Sequence, residues 1–209
     1  MKMDARVRYT RGVLRSALFG RLRDKPLREV TVKEVCEAAG VSRATFYAHY
    51  RDCYDLLEQI EGDMLEACRT SLLRIDAMNA GAVTAAILDA MEANRDLCEL
   101  LIHHRPDDAL PRKMVELAHE LCIDRWKQTL RRAAPEEVER IFSCLAAGLL
   151  HVILSEFGKC DRETLVAFAS ATVRSCVSPY VKSGAGNARG APENANLEQT
   201  IANRLRIVL

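Results

Sequence analysis

The 209-residue chain carries 30 Lys/Arg against 29 Asp/Glu and is 49% apolar and 28% charged, a composition that suits one or two globular domains and excludes a collagen-like or low-complexity chain. Its opening, MKMDARVRYTRG, lacks the apolar core of a secretory signal, and its longest uncharged run, 141–155, is shorter than the roughly 20 residues that span a bilayer. A cytoplasmic location with no membrane partner is therefore expected. The net charge of +1 is unevenly placed: residues 1–51 hold 12 basic and 5 acidic residues, whereas residues 52–209 hold 18 and 24. A head of net +7 on a body of net −6 suits a protein that meets a polyanion at one end.

In chain order, residues 4–24 form a helical pattern, with Leu14, Ala17, Leu18 and Leu22 as the apolar stripe and Arg6, Arg8, Arg11, Arg15 and Arg21 around it. Pro26 ends this helix. Thr31 is an N-cap, and Glu34 three residues on completes a capping box. Val32, Val35, Cys36 and Ala39 then fall at i, i+3, i+4 and i+7. Gly40 can take the left-handed conformation that stops the helix, and Ser42 can cap the next. Val41 and Phe46 are placed as a hydrophobic staple that would fix the angle between the two helices.

Two short helices joined by a tight turn form the helix-turn-helix arrangement, whose second helix enters the DNA major groove. On that helix Phe46 and Tyr50 suit the core, leaving Arg43, Ala44, Thr45 and Tyr47 outward. Arg43 suits guanine O6 and N7, Ala44 a thymine methyl, and the hydroxyls of Thr45 and Tyr47 phosphate oxygens. Ser42 at the cap, Thr31 and Lys33 on the preceding helix, and Arg51 just beyond complete the expected DNA contacts. His49 either joins them or bonds back to the head.

The string GVSRATFYAHYRDCYDLL at 40–57, with TVKEV at 31–35, resembles the DNA-binding signature of the TetR/AcrR family of transcriptional regulators. The resemblance covers residues 10–60. It implies an all-α fold: an N-terminal three-helix DNA-binding domain (1–51), then a helical ligand-binding and dimerisation domain (52–181). It also implies a homodimer on a near-palindromic double-stranded operator, and repression released by a small-molecule effector bound in the body. Control by a partner protein, activation rather than repression, and control by thiol oxidation are the alternatives. Cys53 stands where many members of the family carry a lysine that contacts phosphate; here Arg51 is the nearby cation. A thiol at a helix N-terminus is favoured as a reactive thiolate, whereas the charge of Asp52 beside it opposes one, and a plain capped helix start is the competing and preferred reading.

Asp52 caps a long fourth helix, whose apolar positions are read as Tyr54, Leu57, Ile60, Met64, Leu65, Cys68 and Leu72. Further helices are expected at 80–94, 95–103, 110–132, 135–158 and 161–180, with Pro106 and Pro111 bracketing an acidic loop. The last two are wide apolar stripes (Ile141, Phe142, Leu145, Leu149, Val152 and Ile153; Leu165, Phe168, Ala169, Thr172, Val173 and Cys176); the resemblance makes these helices the dimer interface, and the alternative is that both faces are core within one chain. Residues 182–209, beginning SGAGNARGAPENAN, are expected to be a disordered tail with a short terminal helix.

The eight cysteines contain no CxxC pair and read as reduced core thiols. Cys98 with His103 and His104, or His119 with Cys122, do not make a metal-ligand pattern. No nucleophile elbow, phosphate loop or dinucleotide fingerprint is present, so no catalytic residue, cofactor or metal is expected. Met64, Met91, Met114, Trp126 and Phe142 are core candidates that could also border a pocket.

Overall fold

The computed structural model describes residues 5–104 and 109–181. The expected tail at 182–209 and Pro106 lie outside the described residues, as do the side chains of His103 and His104. The described chain is all-helical: α1 (Ala5–Leu22), α2 (Val32–Ala39), α3 (Arg43–Tyr47), α4 (Cys53–Leu72), α5 (Ala80–Ala93), α6 (Arg95–His104), α7 (Ala109–Thr129), α8 (Pro135–Glu156) and α9 (Arg162–Val177). Short 3-10 turns occupy Leu27–Glu29 and Ser178–Tyr180.

The helix ends follow local chemistry. Asp52, Asn79 and Asp161 each accept a hydrogen bond from the backbone N–H three residues on, at 2.8, 3.0 and 2.8 Å. Pro135 opens α8 at its first turn, where its missing N–H costs nothing. Pro111 lies inside the first turn of α7 for the same reason, so it does not border the loop as its sequence position suggested.

In the head, Leu14, Leu18, Phe19, Val35, Phe46 and Tyr50 close around one another. That buried cluster does not stop at residue 51. It continues through Leu56, Leu57, Ile60 and Met64 of α4 to Met91, Leu97 and Leu165 of the body. α4 packs against α1, α5 and α7, so one rigid helix belongs to both halves. Its inward face is set by Cys53, Leu56, Leu57 and Ile60, and Tyr54 points outward at 56% exposed, against the reading that placed Tyr54 in the stripe. Phe19 likewise joins the core of α1, beyond the stripe of leucines.

The body pairs α5 with α9 and α7 with α8. The first pair approaches closely at Gly81, where a Cβ would lie 2.6 Å from the Ser170 hydroxyl. A second buried cluster forms around Cys122, Trp126, Leu130, Val138, Phe142 and Val173, with Phe142 edge-on to Trp126 at 5.1 Å between ring centres. By length and composition α8 alone among the described helices could cross a membrane, and 22% of its most apolar stretch is buried within the chain.

Candidate nucleic-acid interface

The turn between α2 and α3 is built by three local devices. Thr31 accepts from Glu34 N at 3.3 Å and its own N–H donates to Glu34 Oε2 at 2.9 Å, the reciprocal capping box. Gly40 has φ +66°, and its N–H and that of Val41 return to α2 carbonyls at 3.4 and 3.1 Å. Ser42 Oγ accepts from Thr45 N at 3.1 Å to start α3. Buried Phe46, wholly inside the head, then fixes the face of α3 that looks inward.

Every expected contact residue of α3 follows from that phase. Arg43 and Ala44 are exposed and Thr45 half-buried, its hydroxyl 2.9 Å from that of Ser42. Tyr47 is 58% exposed, held edge-on against Phe46 with ring centres 5.6 Å apart, so its phenol is presented by a rigid support. His49 is half-buried beside the Tyr50 ring at 6.2 Å. Arg51 is exposed, 3.6 Å from Asp55, and its N–H donates to Asp55 Oδ2 at 2.8 Å.

On α2, Lys33 is exposed with only a loose 3.8 Å pairing to Glu37. Thr31 is exposed, but its hydroxyl donates to Glu34 Oε2 at 2.7 Å, so capping already occupies its proton. Lys25 also binds Glu34 at 2.6 Å. Lys25 and the Thr31 side chain and backbone hold the Glu34 carboxyl down at about 2.

Tyr54 is the residue that sequence reasoning missed. It lies exposed in the first turn of α4, directly after the cap that follows Arg51. The spacing of Cys53, Leu56, Leu57 and Ile60 at i, i+3, i+4 and i+7 was the signal that could have found it. Tyr9 and Tyr47 in the head and Tyr54 at the start of α4 are exposed, and such phenols can donate to phosphate oxygens.

The two readings of Cys53 separate in the same step. Its thiol is 3% exposed and is pushed up to about 11, chiefly by burial and then by neighbouring Asp52. The helix N-terminus does not outweigh burial, so Cys53 is a packed thiol and not a redox-reactive thiolate. Among the described residues no group of three metal-binding side chains gathers. His119 pairs with Glu139 at 2.6 Å, while Cys122 turns toward the interior, so the two do not act together.

In the body, an apolar cavity of about 90 Å³ lies between α4, α5, α7, α8 and α9. Met114, Trp126 and Phe142 border it, with Cys68 and Leu72 of α4 on one side. Met64 and Met91, named with them as pocket candidates, are core residues of the first cluster. The Trp126 indole N–H donates to Ala77 O at 3.0 Å.

Comparison with known proteins agrees with this geometry. Residues 20–60 match the family described as bacterial regulatory proteins, tetR family. An uncharacterized HTH-type transcriptional regulator, YxbF of Bacillus subtilis (strain 168), is 34% identical over 59 residues, which cover 28% of this chain and 16% of that relative's length. The fold is similar to that of the dihydroxyacetone kinase operon activator DhaS, with TM-score 0.59 and 13% identity over 83% of this chain and 98% of that one. It is also similar to SmeT, the repressor of the Stenotrophomonas maltophilia multidrug efflux pump SmeDEF, with TM-score 0.56 and 19% identity over 88% of this chain and 96% of that one. SmeT has been solved in complex with triclosan as well, at TM-score 0.53 and 17% identity over 88% of this chain and 99% of that one. The match falls on the capped two-helix turn, so residues 20–60 carry the helix-turn-helix of the bacterial regulatory proteins of the tetR family, and the described chain shares its all-helical fold with solved regulators.

Proposed function

We propose that this regulator acts as a homodimeric, cytoplasmic repressor, bound to a near-palindromic operator and released when a small molecule enters the body cavity. One observation carries the reading: the same helix, α4, packs under the DNA-reading head through Cys53, Leu56 and Leu57 and walls the cavity through Cys68 and Leu72. A ligand that spreads the cavity moves the far end of a helix on which the head is seated, changing the spacing of paired heads. SmeT, a repressor that has been solved with triclosan bound, supports a ligand-responsive role.

The dimer is supported by α8. Its large apolar side chains, Ile141, Phe142, Leu145, Leu149, Val152 and Ile153, pack within the chain, and on the opposite side exposed Cys144, Ala147, Gly148 and His151 present a low-relief face on which another helix can approach closely. A second copy meeting this face and that of α9 covers it and sets two recognition helices about 34 to 36 Å, one DNA turn, apart.

The deciding experiment is selection of bound duplexes from a random pool by the full-length protein, followed by a reporter under the selected site. A two-fold symmetric consensus and reporter repression are expected; absence of any enriched sequence overturns the reading. Reporter activation instead would assign the opposite sign, the role for which DhaS is named.

A further inference from the structure

The wall of the body cavity holds one hydroxyl, that of Thr84, that makes no hydrogen bond to the described residues. Thr84 of α5 is 3% exposed and borders the cavity. Thr10, Thr129 and Ser170 each donate to the carbonyl four residues earlier, at 3.0, 2.9 and 2.8 Å. Thr84 has no such bond, nor any other among the described residues. A hydroxyl that faces an apolar cavity with no protein partner is open to a ligand oxygen, and a ligand that supplies one gains a hydrogen bond in surroundings of low polarity.

The remaining wall narrows the chemistry. Among the described residues no Lys, Arg, His, Asp or Glu borders the cavity. The thiols of Cys68 and Cys122 are pushed up by burial, that of Cys68 to about 11, so they stay neutral. An ionic ligand would lose its water and find no counter-charge. The Trp126 N–H is already bound to Ala77 O, which leaves Thr84 as the polar handle. The cavity, about 90 Å³, is smaller than the roughly 150 Å³ apolar void known to admit benzene, so a single ring already presses its walls outward.

Building on the reading that an effector enters this cavity, we propose that the effector is an uncharged, slender apolar molecule with one hydroxyl or carbonyl oxygen. That oxygen bonds Thr84 Oγ1, and the hydrocarbon body lies against Trp126, Phe142 and Met114. Recognition is then by shape and a single hydrogen bond, with carboxylates and amines excluded by the dry wall.

Trp126 is the chain's one tryptophan, so its emission reports occupancy directly, independently of DNA. The full-length protein is titrated with 4-propylphenol, propylbenzene and 4-propylbenzoate. Saturable emission changes are expected with the first two and none with the benzoate over the same range. In Thr84→Val the ratio of phenol to alkylbenzene affinity should fall by about fivefold, the effect of one neutral hydrogen bond, and Thr84→Ser should keep the wild-type ratio. Benzoate binding as tightly as the phenol overturns the proposal on the wild type alone, whether or not the valine variant folds. A phenol ratio unchanged in folded Thr84→Val also overturns it, while leaving the cavity as the effector site. No emission change with any probe overturns the cavity reading itself, and operator binding measured in parallel then shows whether the DNA-binding reading stands.

Discussion

Arg15 of α1 donates through Nη2 to Asn94 Oδ1 at 2.9 Å, a side-chain bond from the DNA-binding head to the joint between α5 and α6. Asn94 is buried, and its amide also donates to Ala90 O at 2.8 Å, so one residue both closes α5 and anchors α1. Asn94→Ala should cost about 1 to 3 kcal/mol of stability, because it deletes an internal hydrogen bond and leaves the Arg15 guanidinium short of a partner. A double-mutant cycle with Arg15→Ala, read by urea unfolding, should give a coupling of at least about 0.5 kcal/mol. Strict additivity would show that the bond does not tie the two halves together.

Glu34 gives the head an acid sensitivity with a defined sign. Its carboxyl, held at about 2 in the folded head and near 4.5 when free, contributes stability that is fully present above about pH 4.5. That contribution is lost as pH falls from 4.5 toward 2. Thermal melts of wild type and Glu34→Gln should therefore differ most at neutral pH and converge as the solution is acidified through this window. A constant gap across the range would assign the loss to packing rather than charge.

On the recognition helix, exposed Arg43 and Tyr47 should divide specificity from affinity. Arg43→Ala should cost about 1 to 3 kcal/mol and relax preference at one base pair, whereas Tyr47→Phe deletes the exposed hydroxyl proposed for a phosphate and should weaken all sequences alike. The check is binding to the selected operator and to each of its single-base variants. Uniform weakening by Arg43→Ala would remove it from base readout. Tyr54→Phe belongs to the same series and should behave as Tyr47→Phe does.

How much of this was legible in the chain depends on the range of the determining interaction. The head was readable because its devices act over three or four residues: the Thr31–Glu34 box, the left-handed Gly40, the Ser42 cap and buried Phe46. The phase of α4 was read one residue off at its start because Tyr54 counts as apolar by type, although its neighbours Cys53 and Leu56 are the ones that pack. The cavity was barely legible. Trp126, Phe142 and Met114 border it while Met64 and Met91 do not, a division set by how α4, α5, α7 and α8 pack together rather than by spacing within any one of them. Thr84 gives no sequence signal, since its importance lies in a hydrogen bond it does not make.

Burial of Cys53 predicts that mild peroxide will leave operator binding untouched at this residue. In the single chain Cys144 and Cys176 are exposed, so under conditions that dissociate the proposed dimer a thiol-labelling time course should modify them well before Cys53, Cys68 and Cys98, whose thiols burial raises to about 11, 11 and 12. Peptide mapping after labelling distinguishes the order. Early modification of Cys53 would mean that the start of α4 opens readily in solution.

The outward face of α8 predicts the assembly. Ala147 and Gly148 are exposed and carry little or no side chain, so a facing helix can come within close-packing distance there. Nothing lies within 4 Å of a Cβ added at Gly148 in the single chain, so a substitution at that position is tolerated by the monomer. Gly148→Glu adds a charge and bulk only where the second copy would sit, and a helix-interior glycine replaced by a better helix former carries no local penalty. The variant should therefore keep its helical circular dichroism while sedimenting as a monomer, and its operator binding should fall steeply because each half-site is then bound alone. Salt titration adds an internal control: the slope of log affinity against log salt should drop by about half when one head replaces two, since half as many phosphates are neutralised. A Gly148→Glu protein that remains dimeric would move the interface away from this face of α8.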